Sequence, residues 1–219
     1  MKTTVVLLLT LLGTLTLRGQ ILNPVLNDAF LLPRGGFQVT AGYSALGLSF
    51  DGEREGYLKS LDFQLGYGIS RRVSIVARYE KSWYTNYMFE QTAANFLFIG
   101  PEIMLKENWI SLYVPFGTRL LKEVDDKYSE ITPTLNFSLP LGSKVYFNPA
   151  VELGFVFCED CTEAPFLGLN LGLGARPSER LSFFAEYGLT YSTEDFDDGH
   201  FYSINGGIAY LISLGRKSE

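Results

Sequence analysis

Two short stretches of this 219-residue chain hold the residue types from which reactive sites are made. "CEDC" sets Cys158 and Cys161 with two residues between them. Such a pair can bind zinc or cycle between thiol and disulfide. Zinc needs two further ligands and a redox pair needs a βαβ setting, and neither is written here. The expectation is a small disulfide closing a loop tip. "DFDDGH" brings Asp198 close to His200, the one histidine of the chain. An acid beside an imidazole is the beginning of general-base chemistry. The stretch "YTNYMFEQT" has no paired aspartates to complete a water-activating site. No catalytic residue, metal centre or cofactor is therefore expected.

The elements that would position these residues are strands. From Gly36 onward apolar and polar or small residues alternate with a period of two, the mark of a strand with two unlike faces. Ten strands are expected, at 37–50, 57–69, 73–83, 94–105, 109–120, 130–141, 145–157, 166–175, 181–191 and 201–214. Tight turns ("SRR", "KEN", "GSK", "RPSE") follow every even strand. Longer polar loops ("DGEREG", "YTNYMFEQTAA", "LKEVDDKYSE", "CEDCTEAP", "STEDFDDGH") follow the odd ones. Short turns at one end and long loops at the other predict an up-and-down antiparallel transmembrane barrel over 36–219.

Charge sorts with the loops. The long loops hold fifteen acids, from Asp51 through Glu130 to Asp198, against Arg54, Lys122 and Lys127. Hard divalent cations are plausible partners for such loops, although no Ca²⁺-loop spacing is present. The turns are basic, with Arg71, Arg72, Lys106, Lys144, Arg176 and Arg180. A net charge of −6 and the absence of a basic tail exclude nucleic acid as a partner.

Parity divides the strands into a large apolar face (Leu61, Phe63, Leu65, Leu97, Ile99, Val151, Leu153, Ile204, Ile208) and a small or polar one (Gln64, Asn136, Asn148, Asn170, Gly172). A soluble lipocalin-like barrel would bury the first and cover the second with Lys and Glu. Lysine is nearly absent from the strand interiors, so the apolar face is expected to meet lipid. Aromatics gather near both ends of that face: Trp83, Phe155, Phe157, Tyr191 and Tyr202, then Tyr67, Phe147, Phe183 and Tyr210. They suit the two interfacial girdles of a membrane barrel. Parity then turns Asp62, Arg78, Glu80, Glu102, Arg119, Glu152 and Glu186 into the lumen. The inward glycines are expected to leave room for Tyr113, Tyr146 and arginine side chains. Ten strands leave little free width, since about eight are just filled by side chains. The acids either line a narrow cation path or form an ion-paired plug.

The start, "MKTTVVLLLTLLGTLTLRGQ", reads as a secretory signal peptide over 1–19 with cleavage after Gly19, followed by a short periplasmic leader over 20–35. Over nearly all of the mature sequence the chain resembles the small outer-membrane β-barrel proteins of Gram-negative bacteria. "NGGIAYLI" is similar to their C-terminal assembly signal, with Asn205, Gly207, Tyr210 and Ile212 in the matching places. The chain departs from the family by continuing to Glu219. "LPRGGFQVTAGYS" and "YGISRRVSIVARY" are similar to openings of outer-membrane transporter barrels. The resemblance implies location in the cell outer membrane, with outer-membrane lipids and the barrel-assembly machinery as partners. Ten strands are also similar to the omptin proteases, whose opposed carboxylate pair is missing here. The expected function is a porin-like or small-solute transport barrel. A surface adhesin or envelope-integrity barrel acting through its loops is the rival, and an outer-membrane enzyme is the distant third.

Overall fold

The computed structural model describes residues 32–50, 53–84, 94–107, 109–120, 128–157, 165–192 and 200–213. The expected signal peptide, the expected leader up to residue 31 and most of the loop residues, including Cys158, Cys161 and Asp198, lie outside them.

Thirteen hydrogen-bonded segments build one antiparallel sheet. They are β1 (Gly36–Phe50), β2 (Glu53–Gly68), β3 (Val73–Tyr84), β4 (Ala94–Lys106), β5 (Ile110–Tyr113), β6 (Phe116–Arg119), β7 (Ser129–Ile131), β8 (Thr134–Phe137), β9 (Leu139–Pro140), β10 (Val145–Phe157), β11 (Phe166–Ala175), β12 (Leu181–Ser192) and β13 (His200–Ser213). β1 pairs with β13 from Gly36↔Ser213 to Ser49↔His200, and that pairing closes the barrel. The segments make ten crossings, because β5 with β6, and β7 with β8 and β9, are single strands interrupted before β6, before β8 and at Ser138.

Those interruptions depart from the uniform strands that alternation predicts, and the prolines explain two of them. Pro115 and Pro133 have no N–H to give to a ladder. Their carbonyls still accept, from Thr132 N at 3.3 Å and Leu153 N at 3.0 Å, so the sheet continues around each gap. At the third gap Ser138 N donates to Trp109 O at 2.9 Å.

The even-numbered connections are tight, as the alternation predicts. Ile69 N bonds Val73 O and Leu141 N bonds Val145 O, both at 2.9 Å. The first of the expected long loops is not a loop. Glu53, Glu55 and Gly56 pair with Phe50, Leu48 and Gly47, leaving only positions 51 and 52 between β1 and β2. A register shift at Leu46/Gly47 absorbs the extra residue. Gly47 is required there, because the Tyr202 ring of the neighbouring strand lies where a Cβ would be. At the turn end, Leu32 and Pro33 fold against β2: the Leu32 side chain covers Gly66, and Gly35, at φ 74°, donates its N–H to Gly68 O.

Burial is inverted relative to a soluble domain. Phe63, Ile99, Leu171 and Ile204 are 50–59% exposed. Asp62, Glu80, Glu152 and Arg78 are no more than 3% exposed. Exposed apolar residues ring the outside on β1–β4 and β10–β13, and only an apolar solvent makes that arrangement favourable. No helix among the described residues is long and apolar enough to cross a membrane.

Candidate functional site: the barrel lumen

All of the lumen residues expected from parity face inward or sit at its rim. Asp62, Arg78, Glu80, Glu152 and Glu186 are buried, and Glu102 and Arg119 are half-buried nearer the two ends. They are joined by one that the sequence reading assigned to a loop. Glu130 is 1% exposed, on β7, with the Tyr128 hydroxyl donating to its Oε2 at 2.5 Å and Thr132 Oγ1 to its Oε1 at 3.2 Å. The sequence reading counts Glu130 among the loop acids although it opens the expected strand 130–141; it is paired within β7, and alternation turns it into the lumen rather than to the acidic pole.

The carboxylates are held by hydroxyls and amides. Ser44 Oγ donates to Asp62 Oδ2 at 2.8 Å, Ser82 Oγ to Glu80 Oε1 at 2.5 Å, and Ser111 Oγ to Glu102 Oε1 at 2.7 Å. Asn205 Nδ2 donates to Glu186 Oε1 at 3.2 Å and to Ser203 Oγ at 3.4 Å. Asp62 and Glu80 stand directly opposite each other across β2 and β3. Arg78 lies among them and exerts its charge on Asp62, Glu80 and Glu152, with its guanidinium 4.4 Å from the centroid of the Phe98 ring. One buried cation amid six acids of the lumen offsets part of the cost of burying them.

Above this layer, toward the loop end, the lumen is apolar. Leu46, Leu58, Phe96, Phe98, Tyr128, Val156, Phe166 and Phe201 form a buried cluster. Phe96 stacks on Phe98 at 6.2 Å and meets Tyr128 edge-on at 5.8 Å. The rings are seated on glycines: Phe98 covers Gly117 and Phe166 covers Gly154, each across a register pair. Sequence reasoning missed this cluster and gave the glycines a different purpose. Tyr146 does oppose Gly174, but Tyr113 opposes Glu102 and Thr134. The signal was present in β4, where Phe96 and Phe98 alternate with Leu97 and Ile99, so both faces are apolar.

Below the acids, toward the short turns, the lumen is polar and contains a cavity lined by Gln38, Thr40, Gln64, Glu102, Tyr146, Asn148 and Glu186, among others. On β13, Asn205 and Gly207 point inward, Gly207 beneath the Phe184 ring, while Tyr210 and Ile212 face outward. His200 opens β13 and lies with its ring 5.4 Å from that of Tyr191.

Pairing, closure and inverted burial define a ten-stranded membrane barrel. No protein-family model and no curated protein sequence matches the chain. Several solved structures align with it. Ail, the attachment invasion locus protein of Yersinia pestis, aligns over 82% of this chain and 99% of its own at 13% identity and TM-score 0.38. An outer membrane channel from Pseudomonas putida F1 aligns over 88% and 100% at 9% identity and TM-score 0.48. The outer membrane protease OmpT from Escherichia coli aligns over 81% and 96% at 8% identity and TM-score 0.44. Function is argued from the residues themselves.

Proposed function

We propose that this chain is an outer-membrane barrel, exported by its N-terminal signal, that keeps its lumen shut and works through its acidic loop end as a surface or envelope protein. One observation carries the reading: at mid-barrel Arg78, Glu80, Phe96, Phe98 and Glu130 are each no more than 2% exposed. A water-filled path would wet some of them. Rings stacked over a paired charge layer make a seal that costs charge burial as well as packing to open. The barrel supplies the anchor, and the fourteen acids in and beside the loops that remain once Glu130 is counted to the lumen supply the surface.

The porin-like reading is the second. It is favoured by the polar cavity at the turn end, which a transport path would need, but it requires the aromatic layer to move. Planar-bilayer recording of the purified protein separates the two. The closed reading expects no discrete conductance from the parent chain and conductance steps from a Phe96→Ala/Phe98→Ala variant. Cation-selective steps from the parent chain would return the function to transport. An epitope inserted at positions 159–163 should in turn be accessible on intact cells; its protection would sink the surface reading.

A further inference from the structure

The turn-end cavity has a volume of about 60 Å³. That is room for a few waters or one small solute, as a single water needs about 10–15 Å³ on this scale. Its inner wall is buried at Thr40, Asn148 and Glu186, while Gln38, Gln64 and Tyr146 nearer the turns are half-buried. The more exposed part of its wall thus lies toward the short turns.

Three features restrict what it can hold. Its lining carries Glu102 and Glu186 against one cation, Arg176, and each carboxylate is fixed in place through Oε1 by Ser111 or Asn205. Asn148 is only 5% exposed, yet its Oδ1 has no hydrogen-bond partner. A buried acceptor left so is costly unless something from outside the chain donates to it. Finally, among the described residues no three acids converge closely enough to hold a metal ion. Acceptors spread around a wall suit a cation that spreads its donors.

The geometry points to a binding site for one small organic cation of the alkylammonium or guanidinium type, entering from the turn end. Its N–H groups donate to Asn148 Oδ1 and to the Glu186 and Glu102 carboxylates. The rim already accommodates such a group: the Arg176 guanidinium lies 5.8 Å from the centroid of the Tyr146 ring. Gly172 and Gly174 keep the space open. A Cβ at 174 would come within 3.0 Å of Asn148 Nδ2, turning the amide away or filling the site. The inference rests on the lumen alone and holds under either functional reading.

Nuclear magnetic resonance of the full chain in detergent micelles tests it, with methylammonium as the probe. The Asn148 side-chain amide and the Gly172 and Gly174 backbone amides should shift to saturation. Tetramethylammonium, which has charge but no N–H, should leave them unmoved. Glu186→Gln keeps the shape and the Asn205 hydrogen bond, and should weaken binding about tenfold, the scale of one charge-assisted hydrogen bond. Gly174→Val should abolish binding; slower migration on gels after boiling shows whether each variant has folded, and Glu186→Gln decides the question if Gly174→Val has not. A linear drift common to methylammonium, tetramethylammonium and sodium would mean that the cavity holds water only, and would overturn the assignment. So would unchanged affinity in Glu186→Gln.

Discussion

The two halves of the lumen are built from the same alternating strands and solve opposite problems. Toward the loops, Gly117 and Gly154 each receive a phenylalanine ring from the neighbouring strand. Toward the turns, the nearest atoms to a Cβ at Gly172 and Gly174 belong to Asn148, Glu186 and the backbone, and a cavity remains. A glycine in a barrel wall is thus neither a filler nor a spacer in itself. What stands opposite it across the ladder decides, and here that differs between one end and the other. Between the halves lies the layer of acids around Arg78, which belongs to both: its guanidinium rests on Phe98 above and acts on Asp62, Glu80 and Glu152.

The harshest way to break the comparison is to remove that shared residue. Arg78→Ala takes away the cation and leaves buried carboxylates uncompensated, at a cost of about 3–5 kcal/mol. Urea titration of the folded barrel in lipid vesicles should show the loss. Stability unchanged within error would mean that the acids are satisfied by serines and amides alone, and the layer would not be an ion-paired one. Next in size is a charge placed on either side of one strand. Leu169 faces outward and Gly172 inward, on β11. Leu169→Arg should cost about 2–4 kcal/mol if that position lies near the bilayer midplane. Gly172→Arg overpacks the lumen, at about 1–3 kcal/mol, but brings its charge to Glu186 and should be the milder. The reverse order would turn the barrel inside out.

How much of this was legible in the sequence follows from the same distinction of faces. Period-two alternation is a local property, so it carried the strand count, the inward turn of Asp62, Glu80, Glu152 and Glu186, and the outward turn of Leu169 and Ile204. Register is not local. Nothing in "TLNF" or "FGTR" says which residue will stand opposite, so the seating of Phe98 on Gly117 could not be read. Strand ends were the weakest point, because polar residues next to a loop look the same whether paired or free. Glu130 was missed for that reason, and so were the paired residues Glu53 to Gly56. The role of the assembly-signal residues also stays with the resemblance, since their placement on β13 fits any last strand. The prolines were visible, and Pro115 and Pro133 mark where the fifth and sixth crossings break.

The smallest expected effects sharpen the comparison most, because they isolate the glycines themselves. Gly154→Ala adds one methyl group beneath the Phe166 ring, in the sealed half. The ring cannot retreat sideways without leaving its apolar cluster with Leu46, Phe96 and Val156. Overpacking of this kind costs about 1–3 kcal/mol. Gly142→Ala adds the same methyl group in a tight turn where nothing lies within 4 Å, and an exposed change of this sort should stay within about 0.5 kcal/mol of zero. Paired urea titrations under identical lipid conditions would read the difference directly, since both variants alter the unfolded chain alike. A smaller glycine effect at 154 than at 142 would mean that the ring is free to move. The seal would then be soft, and the transport reading would regain the ground it loses to the packed rings.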